Sequence, residues 1–279
     1  MEDPSADAVF EHAEPPGSGV QASWPGPPFT NPVRLAVVDS TNRYLRDAAR
    51  AGAPEGAVVL ADEQLAGRGR RDRTWAAPRG ASLLCSMLFR PAPREGCSHL
   101  VPAVVALAAR SSARRCAGVE LALKWPNDLL AGEEKVAGIL AELVGDPPAV
   151  VVGIGMNVSW PAGWPPPGEL EQLVAGATTL ERVAGRAVER AALEEALLHD
   201  VSARYAALST EEGREQVRAD YRAACSTIGR EVRVELDASV VEGWATSVAD
   251  DGRLVVELPG GATRAVDAGD VVHLRPRRT

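Results

Sequence analysis

Apolar positions along this chain follow three different rhythms. Between residues 33 and 158 short apolar runs, rich in Val, Leu, Ile and Ala, are bounded by Gly, Pro, Asp or Asn. Residues 33–38, 57–61, 82–89, 119–124, 135–143 and 149–158 read in this way as strands. Residues 129–131 extend the fourth of these toward a Gly132-Glu133-Glu134 turn. That turn predicts a hairpin, which brings Lys124 and Lys135 near each other. Tyr44, Leu45, Ala48 and Ala49 stand at helical spacing after Asp39-Ser40-Thr41-Asn42, with Ser40 or Thr41 as the N-cap. Residues 100–116 repeat apolar and small side chains with a 3.6 period and predict a buried helix. Residues 187–208 and 211–225 carry an apolar stripe and a charged outer face, the pattern of amphipathic helices.

From residue 229 onward the pattern shortens. Residues 231–236, 239–247, 254–258, 263–266 and 271–274 read as five strands, parted at Asp250-Asp251-Gly252 and Pro259-Gly260-Gly261. Five short strands in so little chain predict a small barrel. Residues 1–32 have no period. They are rich in Pro, Gly and acid, bury too little to offset chain entropy, and read as a disordered tail. The expected organisation is therefore a tail (1–32), an α+β domain (33–228) and a C-terminal barrel (229–279).

Composition removes several classes. A chain of 279 residues that is 46% apolar can bury a full core. Its net charge of −8 argues against a general nucleic-acid binder, and no helix-turn-helix pattern is present. The longest apolar run, residues 100–109, is too short to cross a bilayer, and no signal peptide is visible. Cys85, Cys97, Cys116 and Cys225 form no C-x-x-C pair and no zinc spacing, so they read as buried thiols in a reducing compartment. A cytoplasmic protein without membrane or nucleic-acid partner is expected.

Candidate chemistry begins in Gly67-Arg68-Gly69-Arg70-Arg71-Asp72-Arg73-Thr74-Trp75, which fits neither helical nor strand periodicity. Its glycines let backbone N–H groups approach a ligand, its arginines offer planar donors for carboxylate or phosphate, and Trp75 offers a flat face. A solvated basic turn would look similar. Basic residues elsewhere are almost all arginine: of 30, only Lys124 and Lys135 are lysines. Lysine is a compact point charge on a flexible stem, which arginine cannot replace. Lys124 opens Lys124-Trp125-Pro126-Asn127-Asp128. Gly153-Ile154-Gly155-Met156-Asn157 is too short of glycines for a nucleotide signature, and close backbone packing explains it as well. The chain has many anion donors, no G-x-S-x-G elbow and no Walker loop. Such a set suits attack of a bound carboxylate on the α-phosphate of ATP, with positioning and electrostatics as the catalyst.

Taken together, four segments resemble the biotin–protein ligases: the Gly/Arg/Trp loop; Lys124-Trp125-Pro126-Asn127-Asp128; Lys135-Val136-Ala137-Gly138-Ile139-Leu140 with Glu142; and Gly153-x-Gly155-x-Asn157. Ser40-Thr41-Asn42 precedes them, and the order and spacing fit over roughly residues 33–274. The resemblance implies an SH2-like mixed-sheet α+β catalytic domain with an SH3-like C-terminal barrel. It implies two steps. Biotin and MgATP give biotinyl-5′-AMP and pyrophosphate; a lysine of a biotin carboxyl carrier domain of an acyl-CoA carboxylase then takes the biotinyl group and releases AMP.

By motif position, Ser40, Thr41, Asn42, Gln64, Gly67 and Arg68 should hold biotin, whose cyclic urea needs donors and acceptors. Arg70, Lys135 and Gly138 should meet its carboxylate end. Arg71, Trp75, Lys124, Asn127 and Asn157 should meet the nucleotide. Arg68, Arg70, Lys124, Lys135 and Asp128 are the candidate catalytic groups. Magnesium should arrive mainly on ATP, with Asp128 as the carboxylate placed for it or for the incoming amine. Asp72 departs from the family, which often has a small residue there, and must turn outward or pair with Arg71 or Arg73. A winged helix is not seen, so the chain resembles the ligase-only class. The nearest rival is a lipoate–protein ligase, for which Ser40-Thr41-Asn42 and Gln64 would be idle. The rival from another class is an RNA-binding or regulatory module, which the acidic charge disfavours.

Overall fold

The computed structural model describes residues 29, 31–91, 98–145, 148–236, 239–267 and 269–273. The readings for residues 1–28, for Cys97 and for Leu274 fall outside them.

Seven strands form one mixed sheet: β1 (Val33–Val38), β2 (Val58–Gln64), β3 (Ser82–Phe89), β4 (Ala122–Lys124), β5 (Asp128–Ala131), β6 (Glu134–Val144) and β7 (Ala149–Asn157), in the order β1-β2-β3-β7-β6-β5-β4. Only β1 and β2 run parallel; the other pairs are antiparallel. Helix α1 (Thr41–Arg50) makes the parallel crossover, with Ser40 as its N-cap. Strand alternation then assigns each residue to a face. On one face Leu83, Cys85, Met87 and Phe89 of β3 join Val150, Val152, Ile154 and Met156 of β7. They pack against α2 (Val101–Ala117), α5 (Arg190–Ala207) and α6 (Glu211–Ala224). On the other face α1 covers only part of the sheet, over Val59, Leu88 and Val151. The rest of that face, around Ser86, Gly138, Gly153 and Gly155, lies outside the apolar cluster that α1 covers.

Five further strands form a second, antiparallel sheet: β8 (Arg230–Glu235), β9 (Val240–Val248), β10 (Leu254–Glu257), β11 (Thr263–Val266) and β12 (Asp270–His273), ordered β11-β10-β9-β8-β12. Its inward positions, Val232, Val234, Val241, Ala245, Leu254, Val256 and Val271, make a core of their own. The mixed sheet with helices and the separate antiparallel sheet are the α+β architecture expected.

Four readings change. Residues 122–131 are not one strand: β4 turns back on itself at residues 125–127 so that Lys124 pairs with Asp128. Pro126 has no N–H for a ladder, and the turn falls there. The Trp125 side chain is buried in the core of the second sheet. Two five-residue helices, α3 (Glu169–Leu173) and α4 (Leu180–Ala184), lie where no element was expected, being too short to show a period. Cys116 is only partly buried, unlike Cys85 and Cys225. Finally, Phe29 is 2% exposed and stacks on Phe89 with centroids 4.8 Å apart. The unpatterned segment therefore places one aromatic anchor in the core before residue 33.

Candidate active site

The bare part of the sheet is the floor of a cavity of about 420 Å³. It is lined by Ser40, Thr41, Asn42, Gln64, Arg68, Arg70, Trp75, Lys124, Asn127, Asp128, Lys135, Gly138 and Asn157, which the sequence scatters over more than a hundred positions. Gly67 is close by, its carbonyl accepting from the Trp75 N–H at 2.9 Å. Arg71 is not among the lining residues; it turns to the second sheet.

At one end of the cavity, β1 and β2 deliver α1 and Gln64 side by side, because Val38 pairs with Gln64. Gln64 Oε1 accepts from the Thr41 N–H at 2.7 Å and lies 3.0 Å from Thr41 Oγ1. Asn42 is buried. Its Nδ2 donates to Leu140 O at 3.1 Å and to Glu142 at 2.9 Å, and its Oδ1 accepts from Ser86 Oγ at 2.7 Å. Glu142 is also held by Arg46 at 2.7 Å and Arg68 at 3.2 Å. The outcome is a fixed lattice of donors and acceptors, suited to a planar ring with polar edges.

The glycines of β7 have a packing explanation. A Cβ on Gly153 would overlap Asn42, and one on Gly155 would overlap the Trp75 ring. Both face the cavity, so the G-x-G pattern clears space on the sheet floor and does not form a phosphate loop. Asn157 lines the same face, but its amide is already engaged: Nδ2 donates to Thr178 O at 3.1 Å and Oδ1 accepts from Ser82 at 3.4 Å.

The middle of the cavity carries the charge. Lys135 Nζ lies 2.6 Å from Asp128 Oδ1 and 5.7 Å from the Trp75 ring centroid. Asn127 ties the turn to β6, donating to Ile139 O at 3.0 Å, and accepts from Arg70 at 3.4 Å. Burial pulls the proton affinity of Arg70 below its ordinary value. Asp270 and Asp128 oppose this, while Arg71 and Arg73 reinforce it. A guanidinium so placed lacks sufficient counter-charge and favours an incoming anion. Lys124 and Lys135 line one cavity, as the predicted hairpin required.

Residues 35–158 match the biotin/lipoate A/B protein ligase family, and residues 227–274 match the biotin protein ligase C-terminal domain. The biotin--[acetyl-CoA-carboxylase] ligase of Mycobacterium tuberculosis is 38% identical over 247 residues, covering 86% of this chain and 88% of that one. The chain belongs to the biotin–protein ligase family. A bifunctional ligase/repressor from Escherichia coli is 33% identical, over 81% of this ligase and 69% of that protein. The biotin protein ligase of Aquifex aeolicus, solved in complex with biotin and ATP, superposes with a TM-score of 0.73 at 26% identity. The match covers 88% of this chain and 99% of that one.

The ligase also shows contacts that sequence reading missed. Residues 67–75 form a tight hairpin, with a bridge from Arg68 to Thr74 and a turn at residues 70–72 where Arg71 and Asp72 have φ of 52° and 56°. Those left-handed angles favour glycine, which gives a small residue at position 72 its physical sense. Asp72 is exposed, so its carboxylate does turn outward. The arginines reach the second sheet: Arg71 donates to Glu235 O at 3.0 Å, Arg70 to Gly269 O at 3.4 Å, and Asp270 takes both Arg71 and Arg73. Arg73 and Asp270 are 197 positions apart, and no local pattern marks Asp270. Ser86 and Arg46 were likewise missed. Ser86 interrupts the otherwise apolar run 83–89, and that interruption was the available signal.

Among the described residues no three His, Cys, Asp or Glu stand together as a metal cage. An ion that travels on nucleotide phosphates needs only one or two protein carboxylates, and Asp128 is a carboxylate that lines the cavity.

Proposed function

We propose that this ligase condenses biotin with ATP to biotinyl-5′-AMP and passes the biotinyl group to a lysine of a biotin carboxyl carrier domain. One observation carries the reading. A single cavity joins a rigid lattice of hydrogen-bonding groups at one end to the cationic Arg70, Lys124 and Lys135 at the other. Ser40, Thr41, Asn42, Gln64 and Gly67 serve the ureido ring. Arg68, through Glu142, braces that end. Arg70, Lys135 and Gly138 face the carboxylate, with Gly138 keeping the floor flat beside the Lys135 ammonium. Trp75, Lys124, Asn127, Asn157 and, through the loop, Arg71 serve the nucleotide.

Carboxylate attack on the α-phosphate concentrates negative charge on the phosphoryl oxygens, which Arg70 and the two lysines offset. Asp128, paired with Lys135, is the carboxylate placed to meet the magnesium of MgATP or the carrier amine. Residues 33–228 would form the catalytic unit and 229–279 the barrel. No described helix is long and apolar enough to cross a membrane. The proposed setting is the cytoplasm, with carboxylase carrier domains as partners and neither membrane nor nucleic acid.

The test is mass analysis of a purified carrier domain after incubation with the protein and MgATP, with biotin in one arm and lipoate in the other. Gain of one biotinyl group on one lysine is expected. Gain from lipoate alone would move the protein to the lipoate ligases, and no gain from either would end the proposal.

A further inference from the structure

The two lysines are held differently. Lys135 is paired with Asp128 at 2.6 Å, whereas the Lys124 ammonium has no hydrogen-bond or ion-pair partner among the described residues. Its backbone, however, adjoins a chain of hydrogen bonds that crosses from the mixed sheet to the second sheet. The Trp125 N–H donates to Thr227 Oγ1 at 3.0 Å, and Thr227 is completely buried. Thr227 Oγ1 lies 3.1 Å from His273 Nε2. Arg230 Nη1 approaches His273 Nδ1 at 3.3 Å and also holds Glu133 at 3.0 Å.

The donors fix the tautomer. A guanidinium can only donate, so Nδ1 must be the bare nitrogen, and the single ring proton sits on Nε2 and goes to Thr227. Thr227 Oγ1 then accepts twice, from Trp125 and from His273. The charged groups that face the ring are Lys124 from β4, Arg230 from β8 and Glu133 from the β5–β6 turn. A second proton on the imidazole would break the Arg230 bond and set a third cation beside Lys124 and Arg230. Burial, with Lys124 and Arg230 adding to it and Glu133 opposing, lowers the imidazole to about 4. At neutral pH the neutral form required by the geometry is therefore the form present.

We propose that His273 is a positioning residue for adenylate formation. Through Thr227 it fixes the backbone of the turn that starts at Lys124, and by staying neutral it leaves the Lys124 ammonium free to meet the nucleotide phosphates. The idea rests on the cavity being the biotin and ATP site.

The experiment is biotin-dependent ATP–pyrophosphate exchange by the full chain, measured with three variants. His273→Leu removes both bonds. His273→Gln keeps a neutral acceptor for Arg230 and a donor for Thr227. His273→Lys installs a permanent cation. His273→Leu and His273→Lys should raise the KM for ATP about tenfold, the scale of one lost buried hydrogen bond, with the KM for biotin unchanged. His273→Gln should return the ATP value to within about twofold.

Stability supplies a second readout. The folded imidazole binds its proton less readily than the unfolded one, so the stability it contributes is present above about pH 6.5 and lost as pH falls toward 4. His273→Gln should flatten that decline. A folded His273→Leu with wild-type ATP KM overturns the proposal. So does a folded His273→Gln as impaired as His273→Leu, or a parallel rise in the biotin KM. If His273→Leu does not fold, the contrast between Gln and Lys decides, and equal ATP values overturn it. A wild-type protein that makes no biotinyl adenylate would instead sink the proposed function, with His273 untouched.

Discussion

The two ends of the cavity are built in opposite ways. The end proposed for the ureido ring is made by one sheet and the helix between its parallel strands. Its groups are buried and already bonded to one another: Thr41 to Gln64, Asn42 to Ser86, Leu140 and Glu142. The end proposed for the nucleotide is made by a hairpin loop, a turn and a second sheet. Three loop arginines lean on that sheet, and Trp125 is anchored in its core, donating from Nε1 to Gly252 O at 2.9 Å. A preformed lattice suits a small rigid ligand, whose recognition depends on fixed partners. An assembled, charged end suits phosphates, whose recognition depends mainly on the placement of cations. The difference predicts that the two ligands fail separately.

The largest effect belongs to the point where the ends meet. Replacing Lys135 by alanine should cost about 10²–10³ in the rate of adenylate formation, read by pyrophosphate exchange, while biotin affinity by calorimetry falls by less, about tenfold, through the lost contact with the biotin carboxylate. Asn42→Leu strikes only the first end. It removes one hydrogen bond each from Ser86, Leu140 O and Glu142, a loss of about 1–3 kcal/mol. Biotin binding should therefore weaken roughly tenfold or more with the KM for ATP unmoved; an equal shift in ATP would erase the contrast.

A paired swap sharpens it further. Gly153→Ala should displace Asn42 and weaken biotin, and Gly155→Ala should displace Trp75 and weaken the nucleotide, each by about tenfold. Matching losses of both ligands in both variants would show one cavity and not two ends. Asp270→Asn removes the ion pairs that Arg71 and Arg73 make with the second sheet. Those pairs are partly exposed, so only about a threefold rise in the ATP KM is expected, with trypsin cutting the loop faster. Smallest in activity is a chain starting at Val33. Loss of Phe29 should lower the thermal midpoint by several degrees, since a large buried ring is worth about 3 kcal/mol or more, yet leave both ligand constants as they were.

Much of the fold was legible because its signals are local. The 82–89 run is apolar except at Ser82 and Ser86 and every residue of β3 is buried, and residues 263–266 form the strand that their spacing predicts. Ser40 caps α1 because it precedes the first helical apolar residues. The strand expected to run through residues 119–131 failed at Trp125-Pro126-Asn127, where an apolar ring looked like strand core. That ring is core, but of the second sheet. Phe29 was missed for the related reason that a single aromatic in a Pro/Gly stretch carries no period. The cavity's polar residues were legible as a set through motif order. Their partners Ser86, Asp270 and His273 were not, since each is an ordinary residue in an ordinary strand.

What the sequence by itself determined is the chemistry: a chain that spends arginine freely keeps lysine at only two positions, both in segments whose composition already calls for an anion. It also determined which positions face inward, because burial follows a period of two or 3.6 that any short window displays. Only the tertiary structure decided which residues complete the site. Register sets Gly138 opposite Gly155 and Leu140 opposite Gly153, clearing the floor of the cavity. The docking of the second sheet brings Asp270 to Arg73 and sets His273 behind Lys124. Contacts between residues so far apart in the chain depend on how strands are ordered and sheets are packed, and no local pattern contains that ordering.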